Sequence, residues 1–91
     1  MKNQSINIAA QKLKAIANVN RLKVLYLISD KELSVGNIED SVGLSQSALS
    51  QHLAVLRNYD IVKTRRSAQT IYYQLKDEKV RKIMELLKQI F

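Results

Sequence analysis

The segment that decides the fold of this chain is Leu44-Ser45-Gln46-Ser47-Ala48-Leu49-Ser50-Gln51-His52-Leu53-Ala54-Val55-Leu56. Within it, Leu49, Leu53 and Leu56 recur at helical spacing, which predicts a helix with one buried side. The opposite side carries side chains with the donors and acceptors that base edges in a major groove require: Gln46, Ser47, Ser50 and Gln51. The segment therefore predicts a DNA recognition helix over 46–57.

A shorter helix is predicted just before this segment, over 35–42. Ser34 is a suitable N-cap for it, and Gly43 fits the left-handed position that ends a helix. Ser45 then caps the recognition helix. Two helices joined by a tight glycine turn predict a helix-turn-helix.

The periodicity changes after Asn58. Residues 61–66 and 70–75 are rich in β-branched and aromatic side chains, with residues 67–69 as a short connection, so a β-hairpin is predicted. A hairpin in this position is the wing of a winged helix. Upstream, helices are predicted over 5–17 and 19–29, with Asn18 as N-cap of the second. Asp77 opens a last amphipathic helix that runs to 91. The prediction is one mainly α-helical domain, residues 1–91, in the order α-α-α-α-β-β-α.

Composition and charge restrict the function. The chain has no cysteine, which excludes disulfides and thiolate metal sites. Its net charge is +7, and residues 45–76 hold five Lys or Arg against one Asp, which suits neutralisation of phosphate. No apolar run has the length of a membrane span and no signal peptide is recognisable, so we expect a cytoplasmic protein without a membrane partner. Paired carboxylates, a nucleophile with its base and a phosphate-binding glycine loop are all missing, so an enzyme is not expected.

The chain resembles the ArsR/SmtB family of bacterial winged-helix transcriptional regulators. The residues that carry the resemblance form five blocks in family order: 13–18, 21–22, 32–35, 44–53 and 72–75. The amino-acid sequence of residues 44–53, together with Ala68-Gln69-Thr70 in the wing, is similar to that of the haemolysin-activator (HlyU-like) branch of the family.

This resemblance implies a homodimer joined by the first and last helices. Each subunit would place its recognition helix in a major groove and its wing over a minor groove, so that the dimer reads an imperfect palindrome. By position in the motif, Gln46, Ser47, Ser50 and Gln51 are expected to contact the major groove, and Arg65, Arg66 and Gln69 to be the wing contacts. The apolar stripes of the two outer helices predict an interface that contains Ile6, Leu13, Val80, Ile83, Leu87 and Ile90.

The chain departs from the family at its sensor sites. Metal sensors carry Cys-Val-Cys where this chain has Ser34-Val35-Gly36, and hydroxyl and glycine cannot replace thiolate for soft metals. Residues 77–91 contain no histidine. The single histidine, His52, is expected to be a packed or hydrogen-bonding residue, with contact to a DNA phosphate as the alternative. We therefore expect no metal and no cofactor. The wing also lacks the glycine that is usual in its turn.

Two modes of regulation agree with these features. The dimer would repress by occluding polymerase, or activate by displacing a nucleoid protein that silences the promoter. The resemblance to the haemolysin activator favours displacement. The alternatives are a repressor that responds to a small ligand, and a protein-interaction module on a winged-helix scaffold. The positive charge of residues 45–76 argues against the module.

Overall fold

The computed structural model describes residues 1–91 and consists of five helices and a three-stranded antiparallel sheet. The elements are α1 (Asn3–Ile16), α2 (Val19–Leu27), β1 (Leu33–Ser34), α3 (Val35–Val42), α4 (Gln46–Asn58), β2 (Val62–Ser67), β3 (Thr70–Leu75) and α5 (Glu78–Ile90). The mainly helical winged-helix prediction is confirmed. The first helix begins two residues earlier than predicted, and α2 ends two residues sooner.

Side-chain caps fix where four of the helices begin. In each case an oxygen accepts backbone N–H groups of the first turn, which have no partner within the helix. The capping residues are Asn18, Ser34 and Ser45, which were predicted as caps, and Asp77, which was predicted to open the last helix. Local chemistry alone therefore sets these boundaries.

The sheet has the strand order β1-β3-β2, and β1 was not predicted. In β1, Leu33 pairs with Tyr73 and Ser34 pairs with Tyr72. A strand of two residues is too short to show an alternating pattern in the sequence. It forms because β3 has an unpaired side with which Leu33 and Ser34 can pair. The hairpin connection is also shorter than expected, since Ser67 pairs with Thr70 and only Ala68 and Gln69 remain in the turn.

One apolar core joins the helices to the inner face of the sheet. It includes the three predicted leucines of α4, and its buried members are Ala15, Ile16, Val24, Leu25, Ile28, Ile38, Leu49, Leu53, Leu56, Ile61, Val62, Tyr73, Leu75, Val80 and Met84. No polar or charged residue is buried. The core thus holds the back of α4 and the base of the wing in one fixed relation.

Polar contacts attach the two outer helices to this core. The Lys12 side chain of α1 donates to the Tyr59 carbonyl at 2.6 Å and pairs with Asp77, the cap of α5, at 2.9 Å. The Tyr26 hydroxyl of α2 donates to the Met84 carbonyl of α5 at 2.7 Å. The amino-terminal half of α1 extends beyond the core into solvent, and the molecule measures 43 × 27 × 22 Å.

Candidate nucleic-acid interface

The candidate interface begins with the turn between α3 and α4. Gly43 has φ +69°, the left-handed conformation predicted for it, and its N–H donates to the Glu39 carbonyl at 3.1 Å. Two residues later the Ser45 hydroxyl accepts from the N–H of Ala48 at 3.1 Å. The chain therefore reverses direction in a short turn, and α4 leaves it at a defined angle to α3.

The outer side of α4 is polar and open to solvent. Leu49, Leu53 and Leu56 are at most 2% exposed, so that side of the helix faces the core. The four residues predicted to contact DNA lie on the remaining surface, and each is exposed: Gln46, Ser47, Ser50 and Gln51. An exposed helix with amide and hydroxyl groups has the donors and acceptors needed for base edges.

The wing closes through a strained residue in place of glycine. Ala68 has φ +54°, within the left-handed region that costs most L-residues about 1–2 kcal/mol. The pair Ser67–Thr70 directly below it keeps the two strands in register. The missing glycine thus does not prevent a tight turn, because cross-strand pairing holds Ala68 in this conformation.

The structure places Arg65 and Arg66 on opposite faces of the wing, as expected for neighbouring strand residues. Arg65 stacks over the Tyr72 ring at 4.4 Å, and its Nε lies 3.1 Å from both carboxylate oxygens of Glu32. This hydrogen bond lowers the pKa of Glu32 and raises the pKa of Arg65. Arg66 is on the other face, which turns toward α4, and it has no carboxylate partner.

A groove of about 620 Å³ runs between α4, the start of α3 and the wing. It brings Gln46 and Ser50 of the helix together with Gln69 of the wing. Ser47 and Gln51 are exposed on α4 but do not line this groove. Arg65 is also absent from it. Of the expected contacts in the helix and wing, the groove unites three.

Arg57 belongs to the same groove and was not singled out from the sequence. It is exposed in the last turn of α4, and its guanidinium donates to the Tyr73 hydroxyl. The signal was present, because Arg57 follows Ser50 by seven residues and therefore lies two turns along the same helix side. The side chains that indicate base readout in this segment are hydroxyls and amides, and Arg57 lies beyond them at the basic end of the same helix side.

His52 is half-buried beside the polar side of α4, and one nitrogen of its ring is hydrogen-bonded to a guanidinium group. Nη1 of Arg21 lies 3.2 Å from His52 Nδ1. Arg21 also donates through Nε to the carbonyl of Ala15 at the end of α1. The expected hydrogen-bonding role of His52 is therefore present within the chain.

Apolar side chains are exposed on both outer helices. Among the residues expected at a dimer interface, Ile6 is 45% exposed, Leu13 49% and Ile90 63%, while Ile83 and Leu87 are half-buried. Val80 was wrongly included, since it is fully enclosed within one chain and has no surface for a partner. Other large apolar side chains are exposed on the same helices or at their ends: Met1, Ile8, Leu86 and Phe91.

The structure contains no group of three or more His, Cys, Asp or Glu side chains arranged to hold a metal ion. None of its helices combines the length and apolar character that crossing a membrane requires.

Comparison with known proteins gives one consistent result. The family model described as bacterial regulatory protein, arsR family, matches residues 18–64. Transcriptional activator HlyU of Vibrio cholerae is 49% identical over 79 residues, which are 87% of this chain and 73% of that protein. Nodulation protein NolR of Rhizobium meliloti is 48% identical over 90 residues, covering 99% of this chain and 74% of NolR.

Solved structures agree with these relatives. The crystal structure of NolR from Sinorhizobium fredii superposes with a TM-score of 0.91 at 48% identity, over 97% of this chain and 88% of that one. HlyU from Vibrio cholerae superposes with a TM-score of 0.92 at 46% identity, over 100% of this chain and 98% of that one.

Proposed function

Because this chain belongs to the arsR family of bacterial regulatory proteins and is a DNA-binding transcriptional regulator, not an enzyme, we propose that it binds a palindromic promoter site as a homodimer. Each subunit inserts α4 into a major groove and lays its wing along the adjacent minor groove. The two half-sites then lie about one helical turn apart.

The exposed polar side of α4 carries this proposal. Gln46 and Gln51 are the longest of its side chains, and a glutamine amide can pair with an adenine edge through two hydrogen bonds. Ser47 and Ser50 are short enough to let the helix approach the base pairs closely. Gln69 lines the same groove as Gln46 and Ser50, so helix and wing approach the duplex from one side of the molecule.

A dimer formed through α1 and α5 is supported by the apolar residues exposed on both helices. A monomeric protein of this size seldom leaves so many large apolar side chains in water on adjoining elements. Ile6, Leu13, Ile83, Leu87 and Ile90 are the proposed contacts. A two-fold axis at this interface would repeat the polar side of α4 on the second subunit, as a palindrome requires.

We further propose that binding competes with other proteins for the same DNA, either polymerase or a nucleoid protein. One relative is named a transcriptional activator and another a biofilm growth-associated repressor. Activation is the favoured outcome because the chain is 49% identical to a protein named a transcriptional activator, and displacement of a nucleoid protein is the mode of activation that we propose. The absence of cysteine argues against regulation by soft metals.

The test is binding of the purified protein to the DNA upstream of its own gene, beside a scrambled duplex of equal length. The double variant Gln46→Ala, Gln51→Ala is expected to lose about tenfold or more of its affinity for the upstream DNA, because each bidentate contact contributes about 1–3 kcal/mol. Its weak, salt-dependent binding to scrambled DNA should persist, because contacts to phosphates do not depend on sequence.

The matched control is Gln74→Ala, which removes a glutamine amide on β3 beside Glu32 and Arg65, outside the groove that contains Gln46, Ser50 and Gln69 and outside α1 and α5. This variant should bind both duplexes like the unaltered protein. Equal affinity of the unaltered protein for both duplexes would contradict base readout at this promoter. An absence of DNA binding at low salt would reject the proposal and favour a protein-interaction module.

A further inference from the structure

We propose that Arg57 and Arg66 form a phosphate-binding site between the end of α4 and the wing, and that Tyr73 positions Arg57 within it. The ligand is a phosphodiester group of the DNA backbone. This inference rests on the proposed function, since the DNA must approach along α4 for the site to be filled.

The five arginines of the chain differ in the groups that they contact. Arg65 is paired with Glu32, and Arg81 with Asp30 and Glu78. Arg21 is held by carbonyl groups at the end of α1 and by His52. Arg57 and Arg66 alone have no carboxylate within 4.0 Å and no backbone carbonyl as a hydrogen-bond acceptor. They are therefore the two guanidinium groups free to neutralise a ligand.

Arg57 and Arg66 share a cavity. It has a volume of about 370 Å³, and its lining residues are Arg57, Thr64, Arg66, Ile71 and Tyr73. Two guanidinium groups around one small cavity would repel each other unless an anion lies between them. The Thr64 hydroxyl is a further donor, and none of the lining residues carries a carboxylate. The composition of this cavity suits an oxyanion.

Tyr73 holds Arg57 in a fixed position. Its guanidinium carbon lies 6.0 Å from the centre of the Tyr73 ring, and Nη1 donates to the hydroxyl of the same tyrosine. Tyr73 is only 3% exposed and is packed in the core, so its ring and hydroxyl are fixed in position. Its contacts therefore restrict where the exposed guanidinium of Arg57 can lie. Guanidinium has five donors, so Arg57 can keep this hydrogen bond and still bind phosphate through its other N–H groups.

The position of the cavity matches a backbone contact. Arg57, Ile71 and Tyr73 line both this cavity and the groove that contains Gln46, Ser50 and Gln69. The phosphate site thus continues directly from the surface proposed to meet the bases. A duplex lying against α4 would bring its backbone past this point as it passes toward the wing.

The experiment measures affinity for the upstream duplex as a function of KCl concentration. Each phosphate contact contributes about −0.9 to the slope of log K against log salt, so a dimer that loses one contact per subunit should lose about 2 from the slope. Arg57→Gln and Arg66→Gln should both show this loss. Their affinities for upstream and scrambled DNA should fall by similar factors, because a phosphate contact carries no sequence information.

Lys76→Gln is the matched control. It removes one positive charge directly after β3, outside the proposed DNA surface, where Asp60 already pairs with the ammonium group. Its slope should stay close to that of the unaltered protein. If all three glutamine variants change the slope equally, the effect is one of overall charge and the proposed site is overturned.

Two further variants test the positioning role of Tyr73. Arg57→Lys should keep the salt slope but lower the affinity, because an ammonium group cannot reach tyrosine and phosphate through one planar fork. Tyr73→Phe should give the same pattern, with its fold checked by circular dichroism. Unchanged affinity in a folded Tyr73→Phe protein would overturn the positioning role. If the unaltered protein binds DNA without salt dependence, the proposed function itself fails. If Arg57→Gln and Arg66→Gln bind DNA with the affinity and salt slope of the unaltered protein, only this phosphate site is rejected.

Discussion

The guanidinium of Arg21, at the start of α2, donates a hydrogen bond to Nδ1 of His52, in the middle of α4, over 3.2 Å. Arginine offers only donors, so Nδ1 is the acceptor in this hydrogen bond. Arg21 also donates to the carbonyl of Ala15 in α1. One side chain therefore connects three helices, including the one proposed to read DNA.

Arg21→Gln is expected to lower the free energy of unfolding by about 2 kcal/mol, because hydrogen bonds that involve a charged group contribute roughly 1.5–3 kcal/mol. The midpoint of urea unfolding measures this effect. Lys23→Gln is the control, since Lys23 is an exposed cation on the same helix without an ion-pair partner. Equal midpoints for the two variants would show that Arg21 contributes only its charge.

Asp77 should make the stability of the protein depend on pH in the acid range. Burial raises the pKa of its carboxyl group, but hydrogen bonds from Lys12 and from the backbone N–H groups of Val80 and Lys79 outweigh burial, and the pKa is lowered from 3.8. The folded protein therefore binds fewer protons than the unfolded chain near pH 4. This stabilisation is complete above pH 3.8 and is lost as the pH falls through the lowered pKa.

Asp77→Asn should accordingly flatten the dependence of unfolding free energy on pH below about pH 5. A residual slope is expected, because the pKa values of Glu32 and Asp60 are also lowered, by hydrogen bonds from Arg65 and Lys76. Asp40→Asn is the control, because Asp40 has no ion pair. The explanation is wrong if both variants keep the full slope of the unaltered protein.

Ala68→Gly should stabilise the protein by about 0.5–1 kcal/mol. Relief of the left-handed conformation gains about 1–2 kcal/mol, and the greater freedom of glycine in the unfolded chain removes about half of that. Thermal unfolding would detect the shift. The opposite sign is expected for Ala10→Gly in the exposed part of α1, where glycine costs about 1 kcal/mol.

The double variant Leu13→Asp, Ile90→Asp should convert the proposed dimer to a monomer. Both side chains are about half exposed or more in the single chain, so a carboxylate there meets water in the monomer but would be buried in the dimer. Sedimentation equilibrium gives the mass, and circular dichroism should show unchanged helicity. Lys31→Asp, Lys63→Asp is the control on exposed positions outside α1 and α5. A variant that sediments as a dimer would place the interface elsewhere.

Features that depend on neighbouring residues could be predicted from the sequence. Asn18, Ser34 and Ser45 cap the helices that they were expected to cap, since a cap needs only the residue and the N–H groups of the next turn. The left-handed Gly43 was predicted for the same reason. The last helix opens at Asp77 as predicted. Helical spacing identified the buried leucines of α4, and with them the exposed polar side.

Features that depend on residues far apart in the chain were decided by the tertiary structure. Leu33 and Ser34 form a strand because their partners in β3, Tyr73 and Tyr72, lie beside them, 40 and 38 residues further along the chain. Glu32 pairs with Arg65, and Tyr73 is hydrogen-bonded to Arg57. No periodic pattern in the sequence indicates either of these pairings. Val80 and Ile90 belong to the same apolar stripe of α5, yet Val80 is buried within the chain and Ile90 is 63% exposed. The sequence alone determined the helices, the hairpin and their polar sides, because these follow from local hydrogen bonding and periodicity. Packing between distant segments decided which arginines stay free and which apolar residues remain exposed.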